Sequence, residues 1–276
     1  MSAIRSVAIA GASGDLGTPV LNALIESNKF NITVLTRHSS KARFPDTVRV
    51  IPVDYNSIPE LTAALNGQDA IHPLRIQRRC GQSQGSTLPI YQSKIAVHKA
   101  LQAKAAENPA FTYTLVRHGP FLDWGLRAGF FVDFRTDIPP FYDGGDRPFS
   151  TTTLATIAKA VVGVLTHFDE TKNRPVYVHD LVTTQRQVYT IIQKLAPERK
   201  WNPVDVSTAE LEAKAREEWA KGNTDLPSIV GLLCRAVFAE GYGGEFKKVD
   251  NELLGLGFKT EADLEEVVKA VLGDSL

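Results

Sequence analysis

Cysteine is nearly missing from this chain: only Cys80 and Cys234 occur in 276 residues, with no C-x-x-C spacing. That excludes a disulfide scaffold and leads us to expect a reducing, cytoplasmic compartment. The six histidines fall in no H-x-x-x-H or H-x-E pattern, so no metal site is expected. Charge of one sign is missing too. The 31 Lys and Arg balance the 31 Asp and Glu, which gives no reason to expect nucleic acid or an anionic membrane as a partner. No apolar run approaches the roughly 20 residues that span a bilayer. The apolar stretch 7–10 is too short for a secretory signal and runs straight into glycine. With 43% hydrophobic residues, this is a globular chain long enough for one domain with a smaller lobe.

What is present begins at residue 7. Val7-Ala8-Ile9-Ala10 reads as a buried strand, and Gly11-Ala12-Ser13-Gly14-Asp15-Leu16-Gly17 follows it with glycines at every third position. A helical pattern then starts at about Leu16, carried by Val20, Leu21, Leu24 and Ile25. Strand, glycine turn and helix in this order deliver backbone to a phosphate. Gly11 permits the tight exit, Gly14 removes a Cβ where a pyrophosphate approaches, and Gly17 lets the helix sit close to the strand. Ser13, Asp15 and Leu16 complete the turn, and the first helical N–H groups and dipole end face the anion. The spacing is G-x-x-G-x-x-G rather than G-x-G-x-x-G. A nucleophile elbow is excluded because Asp15 stands where G-x-S-x-G requires its second glycine.

A second strand over 31–36 ends at Arg37, twenty residues beyond Gly17. An acidic residue near this place selects NAD through the adenine ribose, whereas a cation pairs with the 2′-phosphate of NADP. Arg37 offers the planar fork, and Lys41 or Arg43 adds charge; a solvated arginine at a strand end is the plain alternative. A third strand over 48–53 closes with Asp54, which either contacts the adenine or caps a helix starting near Ile58, where Ser57 and Pro59 are N-terminal signals.

A fourth strand begins at Gln68-Asp69-Ala70-Ile71, and there the pattern collapses. Residues 72–88 have few apolar positions and no period, and read as a flexible basic loop whose Arg75, Arg78 and Arg79 form either an anion patch or a solvated run. Order resumes at Tyr91, with a helix to about Glu107 and a strand over 113–117 broken by Gly119-Pro120. Phe121, Trp124, Leu126, Phe130, Phe131, Val132 and Phe134 follow, either lining a pocket for a flat apolar substrate or packing a second lobe. Turns are expected at 138–140 and 142–146. Helices are expected over 152–165, 183–195, 210–221, 228–240 and 261–272, with a strand over 175–179.

Several of these pieces together resemble the NmrA-like, isoflavone reductase-like branch of atypical short-chain dehydrogenases, especially its fungal members. They are the glycine run 11–17, Thr36-Arg37, Val53-Asp54-Tyr55, the segment 61–70, Lys94-Ile95-Ala96-Val97-His98-Lys99 and the segment 111–121. The resemblance implies a Rossmann-like, doubly wound parallel sheet with a smaller C-terminal α/β substrate lobe. It sets the NAD(P)-binding part at 1–120 and the substrate-binding part at 121–276, the two interleaved. It implies NADPH as cofactor, a small-molecule substrate, and, less firmly, a place in secondary metabolism.

By the same resemblance Lys94 is the catalytic residue, since a lysine at the start of this helix sits beside the nicotinamide ribose and assists proton transfer. The Y-x-x-x-K pair of most short-chain dehydrogenases is absent, because Tyr91 precedes Lys94 by three. The resemblance breaks between Ile71 and Tyr91, where family members have another helix and strand. The sheet is therefore expected to lack them around 72–89. The expectation is an NADPH-dependent oxidoreductase acting on an aromatic or polyketide-like metabolite. Alternatives are a non-catalytic NADP-binding redox sensor with a protein partner, and a reductase damaged by the missing segment.

Overall fold

The computed structural model describes residues 4–73 and 84–273. In chain order these form β1 (Ser6–Ala10), α1 (Gly17–Ser27), β2 (Asn31–Arg37), β3 (Arg49–Val53), α2 (Ile58–Leu65), β4 (Ala70–Pro73), α3 (Gln92–Glu107) and β5 (Thr114–His118). There follow α4 (Leu122–Arg127), β6 (Pro140–Tyr142), β7 (Phe149–Thr151), α5 (Leu154–Thr166), α6 (Phe168–Thr171), β8 (Arg174–Val178), β9 (Leu181–Thr183) and α7 (Gln185–Leu195). β10 (Val204–Val206), α8 (Thr208–Ala220), α9 (Leu226–Phe238) and α10 (Glu261–Gly273) complete the chain. Contacts divide it into two units. The first joins the described residues up to Pro73 with 154–172 and 252–256, and the second holds the remainder.

The first unit carries a parallel sheet in the order β3-β2-β1-β4. Strand alternation explains why β1 is apolar throughout. Val7 and Ile9 enter one core cluster with Val20, Leu21 and Leu24 of α1 and Ala158, Val161 and Leu165 of α5. Ala8, between them, enters the opposite cluster with Leu35, Val53 and Ala64 of α2. A strand covered on both faces has no solvent side to leave polar, which is the doubly wound arrangement. Ile9 is fully buried, and its truncation to alanine costs about 2–5 kcal/mol. At α2, the Ser57 hydroxyl accepts from the Glu60 N–H at 3.3 Å and a proline sits in the first turn, so both N-terminal signals act as expected.

Residues 74–83, with Arg75, Arg78, Arg79 and Cys80, lie outside the described residues. From 84 to 91 the chain makes two short 3₁₀ turns before α3. The helix and strand expected to be lacking around 72–89 would fall largely on 74–83, outside the described residues. β4 pairs with β1, while β5 pairs in parallel with β8 in a separate two-stranded sheet.

In the second unit the aromatic stretch after Gly119 supplies core. Leu122, Leu126, Phe131, Val132 and Phe134 pack with Phe149, Ile192 and Phe238, and the Phe131 and Phe149 rings stack at 5.2 Å. Trp124 alone of the aromatic residues named there is well exposed. The proline-containing turn expected at 138–140 is in part strand. Pro140–Tyr142 pairs with Val204–Val206, a partner over sixty residues away with no local signal, at a position where proline is tolerated.

Candidate functional site

Because β1, β2 and β3 run parallel, their C-terminal ends share one edge of the sheet. The register sets Ala10 opposite Leu35 and Arg37 opposite Val53, so the glycine turn, Arg37 and the segment after β3 emerge together. This is the edge where open α/β sheets bind ligands.

The turn is built by its glycines. Gly11 has φ 83°, a left-handed conformation that side chains resist. The Gly14 N–H donates to the Gly11 carbonyl at 3.2 Å, and the Thr18 N–H to the Gly14 carbonyl at 2.9 Å. A Cβ on Gly17 would overlap the Gly11 carbonyl oxygen and the Ala12 backbone, so only glycine lets α1 start this close to β1. A Cβ on Gly14 would meet only the Gly11 carbonyl at 3.6 Å, an ordinary contact; space is left there for a ligand. α1 has no side-chain cap and no acidic residue in its first turn, whereas Ser57, Thr184, Ser207 and Asp225 cap α2, α7, α8 and α9. The Thr18 and Val20 N–H groups bond to the Gly14 and Leu16 carbonyls and Pro19 has none, so the helix start favours an anion through its dipole.

Beside the turn lies a cavity of about 410 Å3 lined by Ala10, Gly11, Ala12, Ser13, Leu35, Thr36, Arg37, Ser40, Phe44 and Tyr55. Among the described residues, Arg37 is the one charged group in that wall, and no carboxylate lines it. A bare-amide turn, an uncapped helix start, a guanidinium and two aromatic rings fit a dinucleotide bearing phosphate. Lys41 and Asp54 are exposed and are not among the lining residues. The Asp54 carboxylate accepts from the Asn56 N–H at 2.9 Å and side-chain amide at 3.2 Å, and capping of α2 falls to Ser57.

Sequence reasoning missed Ser40, Phe44 and Tyr55. Ser40 follows Arg37 by one turn, its N–H donating to the Arg37 carbonyl at 2.9 Å. The Tyr55 hydroxyl donates to the Leu35 carbonyl at 2.9 Å. Partial burial raises its pKa, and the nearby Arg37 charge opposes that rise. An aromatic residue in the turn after β3 was the available signal for it. At the end of β4, burial pushes the His72 imidazole down to about 4, so it stays neutral near pH 7.

Lys94 belongs to the second unit, in the first turn of α3, with its Nζ 5.5 Å from the centroid of the Tyr91 ring. Leu88, Tyr91 and Ile95 fix the head of α3 by packing with Ala215 of α8 and Leu232 and Ala236 of α9. Tyr91 also walls a small cavity of about 30 Å3 with His118, Gly119, Pro120 and Tyr242.

Residues 11–73 match a family described as NAD(P)H-binding. Oxidoreductase poxI of Penicillium oxalicum is 32% identical over 304 aligned residues, covering 95% of this chain and 92% of that protein. Among solved structures, AtPrR2 with NADP+ and (+)pinoresinol matches with a TM-score of 0.73 at 16% identity, covering 98% of this chain and 99% of that one. An isoflavone reductase matches with a TM-score of 0.72 at 14% identity, again over 98% and 99%. The fold is Rossmann-like, and the family match with the fungal relative makes this an NAD(P)H-binding oxidoreductase. The chain belongs to the family of that fungal oxidoreductase, and it shares its fold with the isoflavone reductase. No helix among the described residues is long and apolar enough to cross a membrane.

Proposed function

We propose that this chain is an NADPH-dependent reductase of a small aromatic or polyketide-like carbonyl or enone, working in the cytoplasm. The observation that carries the choice of coenzyme is Arg37, among the described residues the single charge in a cavity wall without carboxylates. Its guanidinium takes the 2′-phosphate in a bidentate, charge-assisted pair. The turn from Gly11 to Gly17, with Ser13, Asp15 and Leu16, holds the pyrophosphate on backbone N–H groups and the start of α1.

Bound NADPH supplies hydride from C4 of its nicotinamide. Lys94 then acts as general acid, giving its Nζ proton to the substrate oxygen that gains charge. The fixed head of α3 keeps that ammonium in place without an ordering cost at each turnover. The likeness to AtPrR2, whose structure holds NADP+ and (+)pinoresinol, supports an aromatic substrate class.

A second reading, a coenzyme-binding regulator that signals to a protein partner without turnover, is favoured by the short passage from β4 to residue 84. Fluorescence titration of the purified chain with NADPH, followed by addition of aromatic enones and quinones, separates the two. Binding with coenzyme oxidation is the expected result. Binding without oxidation by any of them selects the regulator, and absence of binding overturns both.

A further inference from the structure

The segment that follows β3 reaches back to the end of β2 at two points on either side of Arg37. Upstream, the Tyr55 hydroxyl donates to the carbonyl of Leu35, a residue buried between Ala10 of β1 and Ile51 of β3. Downstream, Glu60 contacts the His38 ring at 2.9 Å while its carboxylate accepts from the Asp54 N–H at 2.8 Å. The second contact is between exposed groups and is weak. The first is not of that kind, because the phenol tip is partly buried on a carbonyl while 40% of the residue stays exposed and its ring lines the coenzyme cavity. A tyrosine this exposed would ordinarily be free to rotate; this one is tethered at its tip.

We propose that Tyr55 is a specificity-determining residue: by tethering the end of β2 at Leu35 it holds Arg37 in place for the 2′-phosphate, and so sets the preference for NADPH over NADH. This rests on the coenzyme reading above. Arg37 is the last residue of β2, two beyond the tether, and the last one paired with β3, opposite Val53. Losing the hydroxyl frees that strand end and makes Arg37 order itself each time the phosphate binds. Arg37 and Tyr55 line the same cavity. NADH has no 2′-phosphate and draws nothing from an ordered Arg37, so the effect falls on one coenzyme.

The test is Tyr55→Phe, which keeps the ring and removes the tether, in the full chain. Dissociation constants for NADPH and NADH are measured beside thermal stability, in the wild type and with Arg37→Ala present. We expect NADPH to weaken by roughly three- to tenfold, the worth of one net hydrogen bond, and NADH by less than about twofold. In the Arg37→Ala background the same change should leave the NADPH-to-NADH ratio where it stands. A merely structural tether lowers stability without moving that ratio, and this outcome overturns the inference while leaving NADPH binding intact. An equal shift for both coenzymes, or one that persists without Arg37, also overturns it. A wild type that binds neither coenzyme removes the coenzyme reading and this inference together.

Discussion

Replacing Arg37 by glutamate is the perturbation that separates the two coenzymes. A guanidinium bound to phosphate through charge-assisted hydrogen bonds contributes about 1.5–3 kcal/mol, and exposure at the strand end argues for the lower figure. The substituted carboxylate adds repulsion of about 1 kcal/mol for each pair of unit charges at ~4 Å in a water-like medium. With a phosphate carrying close to two charges, the sum is about 3–4 kcal/mol, or roughly 150- to 1000-fold in Kd. NADH lacks that phosphate, and its affinity should change by less than about threefold. Titration of coenzyme fluorescence at low and high salt reads both numbers, and the NADPH penalty should shrink as salt rises. Equal losses for the two coenzymes would refute the argument, since only an unfolded or blocked turn affects both alike.

Gly17→Ala sets two effects against each other. Alanine favours a helix by about 1 kcal/mol, but its Cβ meets backbone that cannot yield, at a cost of about 1–3 kcal/mol. We expect a lower Tm together with weaker binding of both coenzymes, and a raised Tm would show that α1 does not start as close to β1 as described. Lys94→Ala should abolish turnover and leave NADPH affinity nearly intact; retained kcat removes Lys94 from the mechanism. His72 gives a pH dependence. Its folded pKa is held near 4 by burial, whereas in the unfolded chain it titrates near 6.5. Its contribution is therefore complete above pH 6.5 and is lost as pH falls towards 4, by at most about 1.4 kcal/mol per pH unit. Thermal melts across that range should fall less steeply for His72→Gln, and identical slopes would exclude His72 as the cause.

Much of the coenzyme side was legible because its signals are local. The apolar run of β1, the glycines at 11, 14 and 17, and the Ser57 and Pro59 cap each act within a few residues of chain, where steric and hydrogen-bond preferences are decided. The helices at 92–107, 185–195 and 261–273 were readable by periodicity for the same reason. The three-residue strands β6, β7, β9 and β10 were not, since each exists only through a partner brought from elsewhere. Likewise, nothing near Phe131 distinguishes a pocket wall from core until Phe149 stacks on it.

By itself, then, the sequence determined a glycine turn at residue 11 and the cation at the end of the next strand, because backbone freedom and charge are properties of single positions. Only the tertiary structure decided which side chains surround that cation. Tyr55 reaches the Leu35 carbonyl because β2 and β3 lie parallel with their ends at one edge. α5 completes the core of the first unit although it lies some eighty residues further along the chain. Such neighbours follow from strand pairing and burial over long separations, and no residue type records them locally.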